Sequence, residues 1–168
     1  MKDQVTLDRI KLLHPRLREE AGEIYEEICK SLSGKAICRF AFTLRTIAEQ
    51  DALYAQGRTK PGKIVTKAKG GQSYHNYGLA IDIVLLVDRD GNGTFESAAW
   101  DTKTDFDGDK VADWMEIVAI FKRYGWSWGG DWRFSDPPHF EKTLGFSIIQ
   151  LQKLHTDGKV DQNGFVKI

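Results

Sequence analysis

His75, Asp82 and His139 supply two imidazoles and one carboxylate, a donor set that zinc prefers. Three protein ligands leave a fourth position open for water, which marks a catalytic rather than a structural site. Asp136 stands close to His139 without being needed as a fourth ligand, which is where a hydrolase wants its general base. The spacing of His75 and Asp82 does not suit one helix face, as the i, i+4 pair of a helical HExxH site does. They must come from a turn and the strand it feeds, with Gly78 permitting the reversal between them. Asp82 interrupts an otherwise apolar run, and burying it is costly unless a cation compensates it. Two ordinary polar histidines and an arginine partner for Asp82 would explain each residue singly. The set of three together favours a metal.

The elements that must position these residues read as follows. Thr6 caps a short helix through Leu13, and Pro15 opens another that runs to Leu32, with Leu17, Ala21, Ile24, Ile28 and Leu32 on one face. Ala36 to Thr43 is a strand, Ile47 to Gln56 a helix stopped at Gly57, and Arg58 to Gln72 a glycine-bearing loop over a site. Ala80 to Val87 is a buried strand. An acidic insertion follows to Asp109, then a helix to Tyr124 with Trp114, Ile117, Val118 and Phe121 on its inner side. An aromatic run, Trp126 to Phe134, leads through Pro137 and Pro138 into a strand at His139 to Lys142, and a last helix spans Ser147 to His155. The elements lack regular βαβ alternation, which predicts an α+β fold with a small, mostly antiparallel sheet flanked by helices.

At 168 residues the chain fits one domain, residues 1–168, and can bury a sizeable core. Lys plus Arg (24) balances Asp plus Glu (24), and no dense basic run marks a nucleic-acid partner. Cys29 and Cys38 fall in a helix and a strand, settings that mean packing rather than a disulfide framework. The first residues are too polar for a signal peptide, and no stretch approaches the length of apolar chain needed to cross a bilayer. The expectation is a monomer made in the cytoplasm, without membrane insertion, which reaches an outside substrate only after release.

Ser73, His75, Gly78, Ala80 and Asp82, read with Asp136, His139 and the preceding Trp126, Trp128, Gly129, Gly130, Asp131 and Trp132, resemble the zinc peptidases of the M15 family. The resemblance extends upstream through Leu44, Arg45, Thr46, Glu49, Gln50, Tyr54, Gly57 and Arg58, so that it covers residues 40–142. Within the family it is most similar to the L-alanyl-D-glutamate endopeptidases of phage endolysins and bacterial autolysins. It implies a Hedgehog/DD-peptidase-like fold, Zn2+ on His75, Asp82 and His139, Asp136 as catalytic base, and Arg45 as a cation near the developing oxyanion. The implied partner is the peptidoglycan stem peptide of the bacterial cell wall. Many relatives with carboxypeptidase activity carry Glu where this chain has Asp136, whose reach then depends on the bend at Pro137 and Pro138. Gln50, Ser73 and Tyr54 are candidates for orienting substrate, and Trp128 for walling a groove, although Ser73 can equally cap its own turn and dense tryptophans are commonly core. The glycines Gly129 and Gly130 suggest close backbone approach to something.

The favoured activity is cleavage between L-Ala and D-Glu. A D-Ala-D-Ala carboxypeptidase or dipeptidase is the rival within the family, and an inactive metal-bearing wall-binding module is the rival outside it. Asp136 argues against inactivity, since a binder needs no base beside an open ligand position.

A second metal, Ca2+, is suggested by the insertion. Asp88, Asp90 and Asn92 followed by Gly93 copy the first half of an EF-hand loop, but the twelfth position is Ala99. Asp105, Asp107 and Asp109 form a second run whose twelfth position is Glu116 and whose sixth is Lys110 rather than Gly. A solvated acidic loop is the simpler reading of both.

Overall fold

The structure, a computed structural model, describes residues 2–168. Helices and strands follow one another as α1 (Gln4–Ile10), α2 (Arg18–Ser31), β1 (Ala36–Phe42), α3 (Ile47–Ala55), β2 (Ala80–Val87), β3 (Ser97–Ala99), α4 (Asp113–Arg123), β4 (Ser127–Trp128), β5 (His139–Glu141) and α5 (Ile148–Thr156). All strand pairs are antiparallel, in the order β1-β2-β5-β4 with β3 also on β2. The expected α+β class and most element positions therefore hold.

Strand β2 organises the sheet. One edge pairs with β1, while the other is shared between β5 at residues 80–82 and β3 at residues 85–87. Side chains alternate across it. Ile81, Ile83, Leu85 and Val87 enter the main core with Ile24 and Ile28 of α2 and Trp114, Ile117 and Phe121 of α4. Asp82 points to the opposite face together with Val84 and Leu86, which pack on Ile37 of β1. Burying each large apolar side chain contributes roughly 1.5–3 kcal/mol, so the helix side fixes β2 and leaves its other face available.

Two expectations need correction. Thr6 does not cap the first helix. Asp3 does, accepting from the Thr6 amide, while the Thr6 hydroxyl turns inward to accept from the Phe40 amide at 3.0 Å. The insertion also contains β3, too short to leave a readable alternation. No disulfide joins Cys29 and Cys38, as the packing reading anticipated.

Gly78 makes the reversal into β2. It closes a single 3-10 turn (Tyr74–Tyr77) with a left-handed backbone, φ +67°. Its amide bonds to the carbonyls of His75 and Tyr74, and its carbonyl accepts from the His14 amide at 2.9 Å. A Cβ here would sit 2.6 Å from the His14 nitrogen. Gly78→Ala should therefore destabilise the protein by about 2 kcal/mol or more, whereas Gly91→Ala, at φ +73° with open space around it, should cost about 1 kcal/mol. Denaturant melts of the two variants check this, with equal losses counting against the steric account.

Candidate metal centre and cleft

The Ser73 hydroxyl caps the turn that carries His75 by accepting from the His75 amide at 3.3 Å, and Asn76 returns the bond to the Ser73 amide. This delivers His75, fully inside the protein, against the sheet. Asp82 and His139 are direct cross-strand partners on β2 and β5, so their side chains share the face opposite the helices. The two imidazoles meet edge to face with centroids 5.0 Å apart. The nitrogen and carboxylate donors of His75, Asp82 and His139 converge on one another within 4.8 Å.

The hydrogen bonds around the rings decide which nitrogens face inward. His75 Nδ1 lies 2.8 Å from the Thr43 carbonyl, which can only accept, so Nδ1 carries a proton and, in the neutral ring that a metal ligand must be, Nε2 presents its lone pair. That buried Nε2 lacks a hydrogen-bond partner and sits 3.2 Å from Asp82 Oδ1. Two acceptors this close repel unless positive charge lies between them. On the other side, His139 Nε2 is 3.0 Å from Glu141 Oε2 and its Nδ1 is 3.0 Å from Asp82 Oδ1. Although burial opposes it, these two carboxylates raise His139 to about 9. Burial likewise opposes ionisation of Asp82, yet the histidines hold its carboxyl well below the ordinary value. Orphaned His75 Nε2, the Asp82 carboxylate and His139 Nδ1 thus fit a divalent cation, with Thr43 and Glu141 as the outer partners that ligating histidines ordinarily have.

Asp136 lies apart from this triad on the cleft wall, at the solvent side. Its carboxyl is raised above the ordinary value, chiefly by partial desolvation and then by the charge of Asp82. Arg45 approaches from the other wall, with its guanidinium 3.7 Å from Asp82 Oδ2. The arginine partner that could have explained Asp82 without a metal is therefore present as well, but it leaves the His75 lone pair unanswered. The cleft of about 540 Å³ is lined by the triad, Asp136, Arg45, Ser73 and the exposed apolar side chains Phe42, Val65, Trp100 and Trp132.

Three expected substrate residues do not line the cleft. Gln50 is fully buried, accepting from Arg45 Nη1 at 3.0 Å and donating to the Ala68 carbonyl at 2.8 Å, so it holds Arg45 and the loop over the site. Tyr54 is covered by Arg58, whose guanidinium carbon stands 3.9 Å from the ring centroid. Trp128 donates to the Pro137 carbonyl at 2.7 Å and fastens the turn below Asp136. The close approach of Gly129 and Gly130 is internal: added Cβ atoms would meet the Asp136 carbonyl at 2.4 Å and the Trp128 ring at 2.2 Å. The tryptophans at the cleft are Trp132, whose ring centroid is 5.2 Å from that of His139, and Trp100. Glu141 was also not foreseen; the one signal for it is its i+2 spacing from His139 on a strand.

In the insertion, Asp88 accepts from the amides of Gly91, Asn92 and Gly93, and Asp90 bonds Asn92. Among the described residues, these three do not join a group of candidate ligands, whereas Asp105, Asp107, Asp109 and Glu116 do.

Residues 66–142 match a peptidase M15 family described as D-alanyl-D-alanine carboxypeptidase. The chain is 54% identical over 98 residues to the peptidoglycan L-alanyl-D-glutamate endopeptidase CwlK of Bacillus subtilis (strain 168), an alignment covering 58% of this chain and 55% of that protein. The chain thus spans about half the length of that relative. Its fold is similar to that of the Serratia marcescens L-Ala D-Glu endopeptidase ChiX, with a TM-score of 0.51 at 17% identity, covering 84% of this chain and 88% of that one.

Because His139 is raised to about 9, its protonated form predominates below that pH and the proton must leave before Nδ1 can bind a cation. Metal affinity should therefore fall as pH falls, roughly tenfold per unit for one displaced proton, between about pH 8 and 6. A competition titration against a chromophoric chelator measures this, and a pH-independent affinity would overturn the assignment of His139 Nδ1 as donor. Glu141→Gln should weaken the same affinity by about tenfold or more.

Proposed function

On the premise that the chain carries a peptidase M15 domain, we propose that it is a zinc-dependent peptidoglycan endopeptidase that hydrolyses the L-Ala-D-Glu bond of the stem peptide. The observation that carries this reading is the facing pair of acceptors, His75 Nε2 and Asp82 Oδ1, in a cleft that also holds an uncommitted carboxyl, Asp136. His75, Asp82 and His139 would hold zinc, a borderline-soft ion suited to two imidazoles and a carboxylate. When bound, zinc supplies Lewis acidity toward the peptide carbonyl and an acidified water.

The chain's own groups do the remaining work. Asp136 takes the proton of the attacking water and later returns it to the leaving amine, a role suited by its raised carboxyl pKa. Arg45, braced by Gln50 and stacked 5.5 Å above the Phe42 ring, turns its guanidinium toward the oxyanion. The apolar cleft walls at Phe42, Val65, Trp100 and Trp132 give an extended chain something to lie against on both sides of the scissile bond. Among the described residues no helix is long and apolar enough to cross a membrane, and the enzyme would act on the wall after release.

The CwlK and ChiX names specify the L-Ala-D-Glu bond, whereas the family description specifies a carboxypeptidase. Mass spectrometry of digested peptidoglycan separates the two: new amino-terminal D-Glu is expected, and release of free D-Ala alone would transfer the case to the carboxypeptidase. Asp136→Ala should retain zinc and lose roughly a hundredfold or more in rate. Loss of zinc in that variant would make Asp136 a ligand and overturn its role as base.

A further inference from the structure

We propose that residues 105–116 form a calcium site, built from Asp105, Asp107, Asp109, Asp113 and Glu116, that is separate from the zinc centre and clamps the start of α4. Two groups of candidate ligands share Asp107: Asp105, Asp107 and Asp113 converge within 4.8 Å, and so do Asp107, Asp109 and Glu116. Five carboxylates therefore surround one region. Among the described residues, none of the five is in an ion pair.

An exposed acidic cluster would need no cation, since water screens it. This one is not wholly exposed. Asp113 is completely buried, and while its Oδ2 accepts from the Phe106 amide at 2.7 Å, its Oδ1 lacks a partner. Glu116 has one oxygen bonded to Ser31 of α2 and the other, Oε2, buried without a partner. An unsatisfied buried carboxylate oxygen beside further carboxylates is strongly unfavourable. Both carboxyls are accordingly pushed up, first by burial and then by their acidic neighbours. A cation held beside Asp107, the member the two groups share, would answer both orphans.

The donor set selects the ion. All the ligands are hard oxygens, and their places, counted from Asp105, are the first, third, fifth, ninth and twelfth of an EF-hand loop, the pattern that gives calcium its six to eight oxygens. Asp113 fills the ninth place; because it opens a helix, it reads in sequence as an ordinary first-turn acid. At the sixth place, where such loops carry Gly, Lys110 adopts φ +80°, so the backbone makes the turn without it. With one end of the site fixed to α2 through Ser31, bound calcium would tie the insertion and α4 to the helix layer.

The test uses the zinc-loaded protein titrated with calcium chloride by calorimetry and followed by thermal melting. A single site with Kd of about 10⁻⁴–10⁻³ M, the range of extracellular modules, and a melting temperature several degrees higher are expected. Asp107→Asn with Asp113→Asn should abolish both effects, and in calcium-free buffer it should melt no lower than the parent, since it removes an unpaired buried charge. Asp88→Ala with Asp90→Ala should leave both effects intact. No heat and no melting shift at millimolar calcium in the parent, or loss of the response in the Asp88/Asp90 variant alone, would overturn the proposal.

Discussion

A single carboxylate, Asp82, sets the terms for the site. It stands near the start of the most buried strand of the sheet, where an ionised group without compensation would be expelled or protonated. Its direct neighbour across β2 and β5 is His139, and the capped turn before β2 brings His75 to the same oxygen. Strand pairing therefore fixes two of the three donors through main-chain hydrogen bonds, which are insensitive to side-chain rotamers. The third depends on Gly78, the one position in the turn where the backbone must enter the left-handed region against the His14 amide.

Around that centre the polar side chains are arranged so that each holds the next. Thr43 fixes the tautomer of His75, Glu141 that of His139, and Gln50 the guanidinium of Arg45. Trp128 and the two glycines beside it close under the Asp136 turn with no room for a Cβ at either glycine. These supports lie on rigid elements or on loops tied to them, as precise positioning requires. The helix side of the sheet contributes through Phe121, which stacks at 4.2 Å on Phe140, the residue between His139 and Glu141. Packing on one face thereby holds the register of the chemistry on the other.

The parts of this arrangement that were legible in the sequence share a cause. His75, Asp82, His139 and Asp136 are unusual residue types at unusual places, and an acid inside an apolar strand advertises its need for a cation. Helices α2 and α4 were readable from their apolar faces and β2 from its β-branched run. Thr43 contributes a backbone carbonyl, for which side-chain identity gives no signal. Gln50 looks like a surface amide because α3 is short and weakly amphipathic, and only the fold of the loop over it makes it a core residue. Which tryptophan faces the cleft could not be read either. Within residues 126–134 the regular structure is a two-residue strand and a single 3-10 turn, where neither the strand nor the helix period applies, so the sequence carries no signal that Trp132 rather than Trp128 walls the cleft.

The division of labour between Asp82 and Asp136 follows from environment rather than residue type. Both are aspartates near the same histidines. Asp82 is engaged by His139 and flanked by His75 and Arg45, which keeps it ionised and makes it a good ligand and a poor proton acceptor. Asp136 faces solvent without an ion pair and feels the negative charge of Asp82, which raises its proton affinity. Pushing two equal carboxyls in opposite directions is how one fold assigns a fixed charge to one and proton transfer to the other. The short side chain of Asp136 makes this assignment depend on its backbone position. The turn from Asp136 to His139 is closed by its own hydrogen bond of 3.0 Å, and Asp136 is bonded back to the Gly129 carbonyl at 2.9 Å. The proposed base and the proposed metal ligand thus sit at the two ends of one braced turn, so that a shift in either one moves the other.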